Sequence, residues 1–541
     1  DLWYTNQRDG NGELVFGKPI KEGSDELYYE HSDTGERVIY TEANISYDRT
    51  FGHHNVNGMV LYNMRNRMIA TAGSAIASIP YRNQAIAARF GYGYKERYLA
   101  EVNGSYTGSE NFAPGHRFGF FPAASVGWVI SNEPFFKNMT RTVDLLKLRA
   151  SYGIVGNDNI GGTGDRFAYF TQFGSGNSYG FGPNGNLVYG IRETLLGSDK
   201  LTWEKSYKTN IGLEMMLWGK LNLTLDYYWE RRKDILIQRS SLPSMAGFDA
   251  SIYANMGEMD NKGVDANLEY QTRIGNKVGL RLFGNLTYSK NKIVFRDEPA
   301  MQYAYQKSEF YGYIAEGYFQ SEEEIKKSPR QMRELAPGDI KYKDLNDDGV
   351  IDANDQCYLG KSWFPSWSYG MGFNINYHNF DLALFFQGVS DVSIMANGGS
   401  IDTGNGDWGA SGVGIVPFTG MGLNPSNVIT KALDRWTADN PRADAWYPRM
   451  TANATTNDNN YVNSTHWLKD GSYLRLKQAS LGYTLENKKL MDKGIEYLYF
   501  YLSGQNLLTF SKFKLWDPEL GSNGAKYPLS RMVTLGMRVS F

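Results

Sequence analysis

The twelve residues Asp344-Leu345-Asn346-Asp347-Asp348-Gly349-Val350-Ile351-Asp352-Ala353-Asn354-Asp355 carry the sharpest local chemistry in this chain. Side-chain oxygens fall at positions 1, 3, 5, 9 and 12, with Gly349 at position 6, which is the register of an EF-hand calcium loop. Calcium is a hard ion that takes six to eight oxygen ligands. Asp344, Asn346, Asp348, Asp352 and Asp355 would offer side chains, and Val350 its backbone carbonyl. Asp355 stands where an EF-hand has Glu, and the shorter carboxylate is the poorer bidentate ligand. The competing reading is an Asp/Asn/Gly-rich turn on a solvated loop. A bound Ca2+ here would be structural rather than catalytic.

Other chemistry is sparse. The chain has no HExxH, no P-loop and no GxSxG, so metalloprotease, phosphate-cradle and hydrolase-elbow readings have no footing. Asp226 and Glu230 fall on one strand face and could be mistaken for glycosidase acids, but neighbouring positions on a polar strand face are acidic or amidic by default. No catalytic residue is expected. Trp408, Trp436, Trp446 and Trp467 lie in the 388–472 segment among Gly, Asn and Asp. Such indoles suit sugar-ring stacking or the docking of a lid protein; alternatively they pack the loop against itself. Cys357 is the only cysteine, so there is no disulfide framework. A net charge of −2 over 541 residues leaves no nucleic-acid footprint.

The elements that must position these groups are strands. The chain ends Met532-Val-Thr-Leu-Gly-Met-Arg-Val-Ser-Phe541. Val533, Leu535, Met537, Val539 and Phe541 alternate with Thr534, Gly536, Arg538 and Ser540, so one face is oily and the other polar. The same period recurs at Thr41–Tyr47, Ala100–Tyr106, Leu146–Ile154, Tyr207–Met215, Leu221–Trp229, Val264–Tyr270 and Tyr369–Tyr377, with weaker runs at 55–63, 86–94, 123–130, 278–289, 380–387, 473–484 and 497–505. That makes about fifteen strands of nine to eleven residues, the length that crosses a bilayer at a tilt. No apolar run approaches the roughly 20 residues of a membrane helix. With 38 Tyr, 12 Trp and 59 Gly, the composition favours aromatic girdles and closely approaching strands.

Short turns near residues 49–54, 95–97, 219–220, 275–276 and 378–379 alternate with long segments at 64–85, 108–122, 156–204, 231–262, 290–366, 388–472 and 506–530. This predicts an all-β, transmembrane, antiparallel up-and-down barrel with short periplasmic turns and long extracellular loops. The 290–366 loop would carry the calcium motif, and 388–472 would be a second long loop. An odd count does not close a bacterial barrel, and plugged transporters have 22 strands. About 15 of 22 strands are therefore expected here, the rest and the plug lying upstream of Asp1, on a chain that is a fragment or a processed product.

Several stretches resemble a known family. They are Arg97-Tyr98-Leu99-Ala100-Glu101, Pro122-Ala123-Ala124-Ser125-Val126-Gly127-Trp128, Leu146 to Gly153, Leu201-Thr202-Trp203-Glu204-Lys205-Ser206, Gly338-Asp339-Ile340-Lys341-Tyr342-Lys343-Asp344, Leu474-Arg475-Leu476-Lys477, Ser503-Gly504-Gln505-Asn506-Leu507, Asp517-Pro518-Glu519 and Tyr527-Pro528. Together they look like the SusC/RagA-type TonB-dependent transporters of the Bacteroidetes outer membrane. The resemblance implies import of oligosaccharides or peptides, driven by the TonB complex through a plug segment and assisted by a SusD-like surface lipoprotein. The plug matches nothing in residues 1–541. The alternative from another class is a secreted β-rich carbohydrate-active enzyme with a dockerin-like calcium module.

Overall fold

The computed structural model describes residues 3–8, 10–11, 14–17, 31 and 34–541, save 73–74, 160–165, 183–185, 240, 243, 248–249, 276, 298–308, 398–429, 451–458, 487–490, 493, 523 and 525–526. Period-two alternation becomes one antiparallel sheet of fifteen strands: β1 (Glu36–Phe51), β2 (His54–Ile69), β3 (Tyr81–Tyr94), β4 (Tyr98–Ser109), β5 (Phe118–Val129), β6 (Val143–Asn157), β7 (Glu204–Leu217), β8 (Leu221–Gln238), β9 (Ser251–Ile274), β10 (Val278–Phe295), β11 (Trp367–Tyr377), β12 (Phe380–Ser390), β13 (Tyr473–Leu485), β14 (Tyr497–Ser511) and β15 (Met532–Ser540). Each pairs with the next in chain order. Strand order brings β15 round to β1. No residue register joins those two among the described residues, and β1 is exposed along its whole length. The ring has one open seam.

The registers line up the oily positions across strands. Ile45 faces Val60, Ile86 faces Tyr106, and Tyr106 faces Phe120. Ala150, Ile211, Tyr227 and Val264 form one row over four strands, and Leu481, Leu502 and Leu535 another over three. This belt is bare, with Ile45 at 80% and Leu535 at 81% exposure. A continuous apolar band of that extent on one face is what a strand barrel turns to hydrocarbon. Val533, Met537 and Phe541 continue it and are exposed, whereas Val539 is half-buried and paired with Leu498.

Short turns at one rim fit the twist of their strands. Lys95 and Glu96 have φ of 52° and 53°, and Trp218 and Gly219 have 54° and 60°, the left-handed pair that a tight hairpin demands. The other rim departs from the sequence expectation. Half of 64–85 and most of 231–262 are strand, not loop: β2 and β3 stay registered to Arg67↔Tyr81, and β8 and β9 as far as Gln238↔Tyr253. Beyond the belt lipid no longer lies on one face. There β8 and β9 are half-buried on both faces, with Leu236 and Tyr253 packed on the cluster around Phe112 and Trp203, so the oily/polar alternation that marks a strand fades. The 156–204 segment likewise contains a hairpin, Gln172–Phe181 with Asn186–Leu196.

The two longest segments fold together into a lobe. Short ladders join Glu309–Gly312 to Cys357–Ser362, Ala315–Tyr318 to Ile340–Tyr342, and Ser393–Met395 to Leu468–Asp470. Their core includes Phe310, Ile340, Tyr342, Tyr447, Tyr461 and Trp467.

Candidate functional site

The inner face of the sheet is built of charge. Across β6, β7 and β8 the lumen-facing residues Arg149, Gly212 and Asp226 stand side by side in register. Arg149 donates through Nη2 to Asp226 Oδ2 at 2.7 Å, reaching directly over Gly212. A Cβ at residue 212 would lie 2.6 Å from Arg149 Nε and 2.8 Å from Asp226 Oδ1, so only glycine leaves room for the bridge. Glu214 binds Lys147 at 3.3 Å and Arg149 at 3.1 Å. Arg89 meets Glu101 at 2.9 Å, and Arg281 meets Glu269 at 2.8 Å. Towards the short-turn rim these walls border a cavity of about 1120 Å³ lined by His53, Asn57, Glu101, Lys147, Arg149 and Asn210.

Asp226 and Glu230 are not a free acid pair. Asp226 is held by Arg149, while Glu230 accepts from Ser206 Oγ and Arg232 Nε at 2.6 Å each. Each carboxylate is committed to a donor. At the short-turn rim Glu133 collects Tyr98 OH and Trp128 Nε1, the latter at 3.1 Å, and those two hydrogen bonds hold its carboxyl below the usual carboxylate range.

The lobe explains a sequence stretch that otherwise reads as mere resemblance. Gly338 has φ +94°, and a Cβ there would sit 2.2 Å from the Trp436 ring, so the chain crosses the indole at contact distance. Asp339 is fully buried and accepts from Arg449 Nη2 at 2.9 Å, Asn460 Nδ2 at 2.8 Å and Ala336 N at 2.9 Å. Ile340 and Tyr342 enter the core, while Lys341 points away to Glu324 at 3.1 Å. A second pair of stretches converges as well. Arg475 is 1% exposed, forks onto both oxygens of Asp517, and gives Nη1 to Glu519 Oε2 at 2.7 Å. This clamp ties the 506–530 loop to the lumen side of β13. Sequence separation hid both clusters, because partners about 40 and about 110 residues apart meet only through the fold.

The loop from Asp344 to Asp355 adopts a tight, self-capped form. Gly349 has φ +81°, and its N–H donates to Asp344 Oδ2 at 2.8 Å. Asn346 accepts from Asp348 N and Asp348 from Val350 N. Asp352 caps Asn354 N, and the buried Asp355 takes both Leu345 N and Asp352 N at 2.8 Å. Asp344 Oδ1 is buried with no hydrogen-bond partner. Among the described residues no three His, Cys, Asp or Glu side chains converge as a metal centre requires.

The tryptophans divide. Trp467 is fully buried and Trp436 is 6% exposed; both are lobe core rather than a platform for sugar or lid. Trp446 is half-buried against Tyr447 and Trp467. Trp408 lies outside the described residues.

Residues 2–507 match the family model described as TonB dependent receptor-like, beta-barrel. The chain belongs to that family. It is 26% identical over 95% of its length to TonB-dependent receptor P3 of Formosa agariphila, covering 53% of that protein. It is also 26% identical to TonB-dependent receptor SusC of Bacteroides thetaiotaomicron, over 84% of this chain and 43% of that one. Among solved structures, the RagAB peptide transporter superposes with a TM-score of 0.68 at 20% identity, covering 95% of this chain and 57% of that one. The chain therefore spans about half the length of the curated relatives it matches. The belt is the lipid-facing surface of an outer-membrane receptor barrel, and the family is one of receptors and transporters rather than enzymes.

The burial of His466 predicts an acid-sensitive lobe. It lies between Tyr318 OH and the Trp446 carbonyl, edge-on to Trp467 at 4.7 Å, and burial, aided by the Lys469 charge, pushes its pKa down to about 4. The unfolded chain takes that proton near pH 6.5, so lobe stability is level above 6.5 and falls as pH drops towards 4, by about 3 kcal/mol in all. Tryptophan-fluorescence unfolding across that range should show the loss, and His466→Gln should flatten it.

Proposed function

We propose that this chain is the greater part of the wall of a TonB-driven importer of nutrient oligomers, oligosaccharides or peptides, that works with a SusD-like surface lipoprotein. The observation that carries the reading is the pairing of a bare apolar outer belt with an ion-paired inner face beneath a folded extracellular lobe. A lobe held by the buried Asp339 carboxylate and its half-buried partner Arg449 is a firm surface for a lid protein. The open seam supports a larger assembly. The outer edges of β1 and β15 would leave rows of N–H and C=O groups unpaired in hydrocarbon, each costing several kcal/mol. Further strands close the ring, about seven if the total is the 22 of plugged transporters. Energy from TonB enters through a plug segment in the lumen. RagAB, whose structure this fold resembles, is a peptide transporter, which supports the peptide branch of the reading.

The test is growth of a deletion strain on panels of oligosaccharides and peptides as sole nutrient, with affinity purification of the full-length protein. The expected result is loss of growth on one class of oligomer, restored only when TonB is intact, and co-purification of a surface lipoprotein. Growth unchanged on every oligomer, with no lipoprotein recovered, would contradict the reading.

A structural Ca2+ in the loop from Asp344 to Asp355 belongs to the same reading. Its support is the buried, unpartnered Asp344 Oδ1 and the positive φ of Gly349 at the sixth position. Ligation would draw the Asp344, Asn346, Asp348, Asp352 and Asp355 oxygens and the Val350 carbonyl inward from their present partners. Chelation should then raise proteolysis between residues 309 and 366, calcium should restore protection, and Asp348→Ala should abolish the response. Equal cleavage with and without chelator would rule the ion out.

A further inference from the structure

The outward face of β14 does not stop at the oily belt. Leu508 and Phe510 on that face are 51% and 57% exposed. Exposure keeps alternating past the strand's last residue: Lys512 and Lys514 are exposed, while Phe513 between them is buried against Ile394 and Ala396. The two exposed lysines thus follow directly on Leu508 and Phe510, just beyond the belt at the extracellular rim. Lys431 and Lys469 bring two more ammonium groups to the same cleft, of about 700 Å³, which Trp446 also lines. Lys469 Nζ donates to the His466 carbonyl at 2.7 Å and stands 5.3 Å from the Trp446 ring. Lys431 is paired with Asp434 at 2.8 Å. Among the described residues no carboxylate forms an ion pair with Lys469, Lys512 or Lys514, and Asp470 is the only acidic residue lining the cleft. Burial lowers the pKa of the Lys469 ammonium, so an anion placed beside it would be stabilising.

We propose that this cleft holds the phosphorylated headgroup of a glycolipid in the outer leaflet. Three observations select that occupant. Clustered ammonium groups match phosphate oxygens, which take short charge-assisted hydrogen bonds. Their position directly above acyl-facing Leu508 and Phe510 is headgroup height, where basic residues and indoles gather at a membrane surface. Cargo passing through the barrel would travel on the opposite face of β14, where Thr509 meets Arg475, so an imported oligomer has no reason to visit this side. The glycolipid would anchor the lobe to the membrane plane through Trp446 and Lys469.

The test uses the full-length transporter, purified in mild detergent and offered diphosphorylated lipid A or its dephosphorylated form, with binding read by native mass spectrometry. Diphosphorylated lipid A should be retained, and Lys512→Gln with Lys514→Gln should weaken retention about tenfold or more. The same charge change at exposed Lys326 and Lys327, outside the cleft, should leave it unaltered. Equal retention by the cleft variant would overturn the proposal, as would equal binding of dephosphorylated lipid. Displacement of lipid A by a soluble acidic oligosaccharide would overturn it too, making the cleft a cargo site instead.

Discussion

Hydrocarbon offers no hydrogen-bond partner, so every backbone N–H and C=O that crosses it must be paired within the protein. The structure follows from that constraint. Strands long enough to span must be registered neighbour to neighbour, and the fourteen ladders from β1 to β15 do this without a crossover among themselves. Once register is fixed, the side-chain period of two sorts each strand's residues onto two faces, and a slip by one residue would exchange belt and lumen. The rows Ala150–Ile211–Tyr227–Val264 and Arg149–Gly212–Asp226–Asp265 are adjacent positions on the same four strands, one oily and one charged.

The lumen wall is stiffened by pairing. Arg149, Glu214, Asp226 and Lys147 neutralise one another across three strands instead of presenting one sign of charge. At this patch two cationic and two anionic side chains leave no excess of either sign. Above it, the lobe behaves as a small globular domain, with its own buried aromatic core and its own buried carboxylate held by Arg449. The clamp of Arg475 on Asp517 and Glu519 joins barrel and loops at the boundary.

The strands were legible because lipid on one side and polar lumen on the other impose a strict alternation, which is why the start and facing of runs such as Leu221 to Trp229 could be read, although that strand continues to Gln238. Where that asymmetry ends, legibility ends: the upper parts of β8 and β9, half-buried on both faces, and the hairpin Gln172–Phe181 with Asn186–Leu196 no longer have lipid on one side to impose the period. The lobe was opaque for a different reason. Its contacts join residues far apart in sequence, so nothing local distinguishes a core indole such as Trp467 from a surface one. The acidic loop was legible as a turn, with Gly349 at the position where φ is positive, while its ligand chemistry depends on where the carboxylates point.

The central claim is that the period-two face carrying Leu223 meets hydrocarbon while its neighbour faces the lumen. Comparing Leu223→Arg with Thr224→Arg by denaturant titration of the full-length barrel folded in bilayers tests it most directly. Leu223 lies between Met215 and Leu268 in the belt, and Thr224 between Glu214 and Asn267 on the inner face. The account predicts a loss of about 2–4 kcal/mol for Leu223→Arg if that residue lies near midplane, and much less for Thr224→Arg. Equal costs, or the larger cost at Thr224, would contradict it.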